Sequence, residues 1–133
     1  MSRNNLQLYY HLVFVCKQRQ KFVVAHMENG LYNFLWNKVE ALNQIPLAIN
    51  GMPDHVHVLL KMNAKDNIAK LVKDLKGSSS IFMKDMSDQF KWSRGYGAFT
   101  VSKKDVDMIA NYIKNQKSHH QKGTVDIDLE EMS

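Results

Sequence analysis

The chain has 133 residues, of which 44% are hydrophobic and 23% are charged, and this length and composition are typical of a single globular domain. No apolar run reaches the roughly 20 residues that a membrane-spanning helix needs, and the single cysteine, Cys16, excludes an intramolecular disulfide. These features predict a soluble protein of the cytoplasm.

Positive charge is concentrated in the body of the chain. The formal net charge is +5, but all 18 Lys and Arg residues lie within residues 1–123, whereas four of the 13 acidic residues lie among the last eight. A domain with this excess of positive charge attracts a polyanion. We predict a nucleic acid rather than a membrane as partner, because the chain has no strongly amphipathic basic helix of the membrane-surface type. Residues 1–123 are interpreted as one domain and 124–133 as a short acidic tail.

Hydrophobic periodicity predicts seven elements of secondary structure. They are, in chain order, a strand over 6–16, a helix over 27–43, strands over 45–50 and 55–60, a helix capped by Asp66 and extending to about 86, a strand over 98–101, and a helix from about 103 to 117. The first strand is apolar on both faces, which predicts a central position in the sheet.

The order of these elements predicts an α+β fold. Strand, helix, strand, strand, helix and strand form the ferredoxin-like split βαβ pattern, which is also the plan of RRM-like RNA-recognition modules. We therefore expect an antiparallel sheet with helices on one face, the first and third strands at its centre, and an additional C-terminal helix that carries Tyr112. The other face of the sheet is expected to be exposed.

The predicted third strand carries two histidines at alternate positions. His55 and His57 project from the same side of the sheet, while Val56, Val58 and Leu60 point into the core. Two imidazoles on a rigid strand can bind one metal ion and leave coordination positions for oxygen ligands or a substrate phosphate. Alone, this pattern is weak, because two hydrogen-bonded strand histidines without a metal would look the same.

Two further segments combine residues suited to nucleic-acid binding. Lysines lie on the second long helix opposite its apolar stripe, and the segment 90–97 alternates aromatic and basic side chains. Lysine neutralises phosphates and aromatic rings stack on unpaired bases. The alternative interpretations are a solvated lysine face and aromatic residues of the core. The candidate DNA-binding residues are Lys70, Lys73, Lys76, Ser78, Trp92, Arg94 and Tyr96.

Taken together, five segments resemble the single-tyrosine HUH transposases of the smallest hairpin-ended insertion sequences, the IS200-like transposase family, which move as single-stranded DNA. The segments are YHLVFV at 10–15, MPDHVH at 52–57, KGSSS at 76–80, GYGAFTVS at 95–102, and the final helix from Tyr112 through Gln116 to His119 and His120. The ordered set is specific, although a single His-x-His is not. The chain departs from the family at Ser93 and Thr100 and in its short acidic C-terminus.

The resemblance implies a transposase that cleaves and rejoins single-stranded DNA at hairpin-marked ends. Tyr112 would be the nucleophile that forms a 5′-phosphotyrosine, and His55, His57 and the amide oxygen of Gln116 would bind Mg²⁺ or Mn²⁺. Relatives of this kind are homodimers with trans active sites, in which the His pair of one chain meets the tyrosine of the other. His119 and His120 could compete as ligands but are expected to support the site or to face DNA.

Two other functions would account for part of the sequence. A non-catalytic RRM-like nucleic-acid-binding protein explains the fold order and the charge but leaves the His pair and the spacing of Tyr112 and Gln116 unexplained. A zinc hydrolase using His55, His57 and His120 would need a nearby general base, and Asp54 precedes the strand on the wrong side.

Overall fold

The computed structural model describes residues 6–117 and contains all seven predicted elements. They are β1 (Leu8–Val15), α1 (Ala25–Ala41), β2 (Ile45–Met52), β3 (His55–Met62), α2 (Ile68–Lys84), β4 (Gly97–Val101) and α3 (Val106–Lys114), with short 3₁₀ turns at Lys17–Arg19 and Lys103–Asp105. His119, His120 and the predicted acidic tail lie outside the described residues. Within 6–117, no helix is both long enough and apolar enough to cross a membrane.

The four strands form one antiparallel sheet in the order β2-β3-β1-β4. This arrangement confirms the predicted α+β fold and the predicted central positions of β1 and β3. In the pairing of these two strands, Val13 lies opposite His57 and Val15 lies opposite His55. β3, one of the two central strands, therefore carries both candidate metal-binding histidines in the middle of the sheet.

One face of the sheet packs against α1 and α2 and forms the main core. Alternate residues of β1 and β3 supply the sheet side, and the helices supply aliphatic residues at helical spacing. The fully buried members include Leu12, Phe14, Val56, Val58, Leu60, Leu31, Leu35 and Leu75. Edge-to-face contact between Phe14 and Trp92 extends this core towards the segment that precedes β4.

The opposite face of the sheet is covered by α3, where the sequence predicted an exposed face. Ile109 and Ile113 of α3 pack against Ala48, Leu59 and Val101 in a second, smaller core. The expectation of an exposed His pair is therefore wrong, because the apolar stripe of α3 is buried on the same face that carries the histidines. The sheet therefore lies between α1 and α2 on one face and α3 on the other.

Local interactions set the ends of the elements around the sheet. Asn67, rather than the predicted Asp66, caps α2, since its side-chain oxygen accepts from the backbone N–H groups of Ala69 and Lys70. Asp66 instead accepts hydrogen bonds from Gln44 and Asn63. Asp and Asn are both favourable N-cap residues, and Asn67 is the cap because it directly precedes the first residue of α2.

The β2–β3 hairpin brings two backbones unusually close beside the first histidine. A Cβ atom at Gly51 would collide with the carbonyl oxygen of His55 and lie 2.9 Å from the Cα atom of Val56. Only glycine allows this approach. The start of β3 is therefore held tightly against the end of β2.

Candidate active site

The two strand histidines lie side by side in a buried site. His55 is 4% exposed and His57 is fully buried. Their ring centroids are 5.1 Å apart and the ring planes are nearly perpendicular. This is the same-side geometry that the alternation of β3 predicts.

His55 is oriented by the residue that precedes it. Its Nδ1 atom lies 2.7 Å from Oδ1 of Asp54, whose other oxygen accepts a hydrogen bond from the Arg19 guanidinium at 3.3 Å. The hydrogen bond with His55, together with the nearby Arg19 guanidinium, holds the pKa of Asp54 below its usual value. An ionised carboxylate accepts a hydrogen bond from the Nδ1–H group of His55, so that Nε2 is the atom that points into the site.

The side chain of Gln116 meets His55 at this inward edge. Its Oε1 atom lies 3.3 Å from Nε2 of His55, and the residue is fully buried. When neutral His55 donates a hydrogen bond from Nδ1 to Asp54, its Nε2 atom and the Oε1 atom of Gln116 present lone pairs to each other. Within residues 6–117, the Nε2 atom of Gln116 has no hydrogen-bond partner. A cation shared by two such acceptors stabilises the pair, so the donor set fits a metal ion.

His57 is contacted by an imidazole that belongs to the neighbouring strand. Its Nδ1 atom lies 2.8 Å from Nε2 of His11, and the two rings stack with centroids 5.0 Å apart. The Tyr112 ring approaches His57 edge-on, with 6.4 Å between the centroids. Tyr112 is 7% exposed, so the phenol and the imidazoles share one largely dry environment.

Contacts at the end of α3 hold Tyr112 and Gln116 over the sheet. The Asn50 amide donates to the carbonyl oxygen of Lys114 at 3.0 Å. Lys117 donates to the carbonyl oxygen of Gly51 and forms an ion pair with Glu28 at 2.9 Å. These contacts bring the tyrosine and the amide to the histidines of the same chain.

The four predicted site residues thus converge, and their chemistry can be stated from the donors present. The described part of the chain has no cluster of three or more His, Cys, Asp or Glu side chains that could hold a metal ion. The two imidazoles of His55 and His57 and the amide oxygen of Gln116, beside Tyr112, could hold a metal ion. The predicted zinc alternative depends on His120, which lies outside the described residues.

Comparison with known proteins identifies the family. A family model described as "Transposase IS200 like" matches residues 4–116, most of the chain. The chain belongs to the IS200-like transposase family. It is therefore an enzyme that acts on DNA, as the ordered motifs predicted.

Individual relatives of this transposase span nearly the same length. The ISDra2 transposase TnpA of Deinococcus radiodurans is 34% identical over 119 residues, which cover 83% of this chain and 84% of that protein. The transposase for insertion sequence element IS200 of Salmonella typhimurium is 29% identical over 122 residues, 86% of this chain and 80% of that protein.

Solved structures agree with the fold of the transposase. A crystal structure described as a transposase from Deinococcus radiodurans matches with a TM-score of 0.71 at 29% identity, covering 87% of this chain and 95% of that one. A REP-associated tyrosine transposase bound to a REP hairpin matches with a TM-score of 0.68 at 12% identity, covering 90% of this chain and 73% of that one. Because its sequence identity is low, the second match shows only that the two proteins share a fold.

Trp92 of the transposase is a core residue and not an exposed stacking platform. It is 6% exposed, contacts the edges of Phe14 and Phe90, and its indole N–H donates to the hydroxyl of Ser79 at 3.0 Å. The expectation that this ring stacks on DNA is not supported, because burial leaves no open face for a base. The structure instead favours the alternative interpretation, an aromatic residue of the core.

Lys76 also differs from the solvent-facing lysine that was predicted. Its ammonium group donates to the carbonyl oxygens of Ser93, Arg94 and Gly95 at 2.6, 3.2 and 3.0 Å. Burial lowers the pKa of Lys76 from its ordinary value. All three N–H donors are thus directed at one loop, and Lys76 fixes the path of the chain there.

The other candidate DNA-binding residues are distributed around this loop and helix. Lys70, Lys73 and Arg94 are exposed, and Tyr96 is half-buried, with the ammonium group of Lys76 5.9 Å from its ring centroid. The Ser78 hydroxyl donates to the carbonyl oxygen of Asp74 one turn earlier in α2. The exposed cations are therefore the accessible part of the predicted set.

The sequence did not predict the contacts that Asp54 and His11 make with the two strand histidines. In the sequence, Asp54 is a candidate only for a general base, and His11 is only a strand residue of the family motif. The contact of His11 was nevertheless predictable. His11 lies on the face of β1 opposite Leu12 and Phe14, and the predicted pairing of β1 with β3 brings that face beside His55 and His57. An adjacent carboxylate before a ligand histidine is likewise a common orienting partner.

Proposed function

We propose that this transposase cleaves and rejoins single-stranded DNA at the hairpin-marked ends of a mobile element, with Tyr112 as the nucleophile. The observation that supports it most strongly is the convergence of Tyr112, His55, His57 and Gln116 in one buried site. A nucleic-acid-binding module without chemistry would have no need for this group of side chains.

The proposed reaction exchanges one phosphodiester for another. The Tyr112 oxygen forms a bond to phosphorus, the bond between phosphorus and the 3′-oxygen breaks, and the phenolic proton is balanced by a proton gained on the 3′-oxygen. The products are a 5′-phosphotyrosine and a free 3′-hydroxyl. Because the phosphotyrosine retains the energy of the broken bond, a 3′-hydroxyl can reverse the step on another strand without ATP. This makes the protein a strand transferase as well as an endonuclease.

The Tyr112 hydroxyl requires activation, since an unperturbed tyrosine has a pKa of about 10 and is a weak nucleophile when protonated. A bound divalent cation supplies positive charge that polarises the scissile phosphate. Nε2 of His55, Nε2 of His57 and Oε1 of Gln116 would hold it. Mg²⁺ and Mn²⁺ both suit phosphate chemistry, and the two nitrogen ligands favour Mn²⁺.

Exposed cations are proposed to bind the DNA backbone beside the site. Lys70 and Lys73 lie on the outer side of α2, and Arg94 extends from the loop that Lys76 holds. Tyr96 follows on the same loop and is the remaining candidate for stacking on a base. Lys76 and Trp92 are assigned to holding this surface in shape, and Ser78, whose hydroxyl bonds within its own helix, remains a candidate for contact with DNA.

We further infer a homodimer that exchanges α3 between subunits, as the family resemblance implies. In the described chain, α3 lies on its own sheet and completes the site in cis. Exchange would preserve every contact of α3 with the sheet, because a second copy presents the same surface. The connection through Ser102 and the 3₁₀ turn at Lys103–Asp105 is the segment that would cross between chains.

Replacing Lys73 and Lys76 by methionine should separate DNA contact from loop support. Lys73→Met should leave stability within about 0.5 kcal/mol and reduce the salt dependence of hairpin binding by about one phosphate contact. Lys76→Met should lower the free energy of unfolding by about 1–2 kcal/mol, because three carbonyl groups lose a charged donor. Chemical denaturation and binding titrations at several salt concentrations measure both. Equal stability of the two variants would contradict the role given to Lys76.

Tyr112→Phe should abolish formation of a covalent protein–DNA adduct, a loss of at least about 1000-fold in cleavage, while hairpin binding persists. Only the hydroxyl is removed, so the packing of the ring remains. The assay incubates labelled single-stranded DNA with the protein and Mn²⁺ and separates the products on a denaturing gel. Tyr9→Phe is the matched control, because it removes a hydroxyl that bonds to Gln7. An adduct formed by Tyr112→Phe would rule out this nucleophile.

Metal binding should depend on the three proposed ligands. We expect His55→Ala and His57→Ala to remove Mn²⁺ binding, and Gln116→Asn to weaken it about tenfold because the shorter side chain withdraws its oxygen. Calorimetric titration of the DNA-free protein measures this directly. His26→Ala removes an exposed imidazole on α1 and should have no effect. Wild-type affinity in the His55 and His57 variants would exclude the ligand set.

The exchange of α3 can be tested by mixing two inactive proteins. One carries His55→Ala and His57→Ala, and the other carries Tyr112→Phe. If α3 is exchanged, a mixed dimer has one site with intact histidines and tyrosine, and cleavage returns after subunits are allowed to exchange. If each chain completes its own site, no complete site forms and activity stays at background. The second result would refute exchange and leave the proposed chemistry unchanged.

A further inference from the structure

We propose that His11 is a positioning residue for the candidate metal ligand His57. In this proposal, Nε2 of His11 accepts the Nδ1 proton of His57 and thereby stabilises the tautomer in which Nε2 of His57 has the lone pair that ligates a metal. The inference rests on the proposed function, since it assigns His11 a task only if His57 is a ligand.

The sheet places the two rings in contact. β1 and β3 are adjacent central strands, and Val13 lies directly opposite His57, so His11 is the diagonal neighbour on the same face. The distance between Nε2 of His11 and Nδ1 of His57 is 2.8 Å, a normal hydrogen-bond length. The rings are stacked with 21° between their planes. No solvent competes, because His11 is 1% exposed and His57 is fully buried.

The direction of this hydrogen bond decides whether His57 can be a ligand. A neutral imidazole carries one proton, so one nitrogen donates while the other presents a lone pair. If His57 donates from Nδ1, its Nε2 atom can bind a metal. If His11 donates instead, a neutral His57 carries its proton on Nε2 and that atom cannot ligate. The partner of one ring nitrogen therefore determines the metal-binding ability of the other.

The surroundings of His11 hold its ring in this position. Phe99 lies directly opposite His11 on β4, and the two rings have centroids 6.0 Å apart. The His11 imidazole is thus confined between an aromatic ring on one side and His57 on the other. Burial of a polar ring at the centre of a sheet costs free energy unless it is hydrogen-bonded, and an aliphatic residue would fill this strand position without that cost.

The two candidate ligands then have separate orienting groups. Asp54 contacts Nδ1 of His55 at 2.7 Å, and His11 contacts Nδ1 of His57 at 2.8 Å. In each case Nδ1 is occupied, and Nε2 is the atom that would ligate the metal in the proposed site. Asp54 comes from the turn before β3 and His11 from β1, so one ligand is oriented locally and the other through the sheet.

The test measures tautomers in the protein without metal or DNA. Nitrogen-15 NMR of the histidine rings in mildly alkaline buffer should show the proton of wild-type His57 on Nδ1. His11→Phe keeps a ring of similar size but removes the acceptor, so the His57 proton should move towards Nε2 and Mn²⁺ affinity should fall about 10- to 100-fold. His11→Gln supplies an amide oxygen as acceptor and should recover the Nδ1 tautomer and most of the affinity. His26→Phe, which alters an exposed histidine, is the control.

Several results would overturn the proposal. A proton on Nε2 of wild-type His57 contradicts it directly, even if His11→Phe fails to fold. So does a folded His11→Phe variant with unchanged His57 tautomer and unchanged Mn²⁺ affinity, which leaves the proposed function intact. Equal loss of affinity in His11→Phe and His11→Gln, despite the Nδ1 tautomer in the latter, points to packing alone. If the wild-type protein binds no Mn²⁺, the failure lies in the proposed function.

Discussion

The antiparallel pairing of β1 with β3 is the constraint on which the site depends. Side chains alternate between faces along a strand, so a shift of one residue moves a whole set to the opposite face. In the observed register, Val56 and Val58 enter the main core while His55 and His57 face α3. A slip of one residue in either strand would separate His11 from His57. The register therefore sets the burial of the core and the composition of the site at the same time.

The second constraint is that this polar site is buried. α3 has nine residues, too few for a stable isolated helix in water, so its structure depends on packing against the sheet. Ile109 and Ile113 provide the apolar contact, and Lys117 with Asn50 fixes the helix end. Buried imidazoles beneath it are tolerated because each has a hydrogen-bonding neighbour. A helix held only by tertiary contacts can bind an identical sheet equally well, which is the physical basis for the proposed exchange.

Local patterns in the sequence predicted the elements, their order and the shared face of the His pair, because periodicities of 2.0 and 3.6 residues are properties of short segments. The covering of the His face by α3 could not be derived in this way. The apolar stripe of α3 shows that one side must be buried but does not identify the surface that buries it. The contact of His11 with His57 likewise joins residues 46 positions apart. Such contacts follow from topology and become predictable only when strand order and register are known.

Lys76 and Trp92 illustrate why residue type alone did not identify the surface residues. In sequence, Lys76 continues the spacing of Lys70 and Lys73, and Trp92 stands among basic residues. Both instead connect α2 to the segment before β4, Lys76 through three backbone carbonyls and Trp92 through Ser79, one turn further along the same helix. The loop is thus fixed at two points by a single rigid element. Its exposed Arg94 is positioned by backbone contacts rather than by its own side chain, so the shape of the proposed DNA surface is set by residues that do not belong to it.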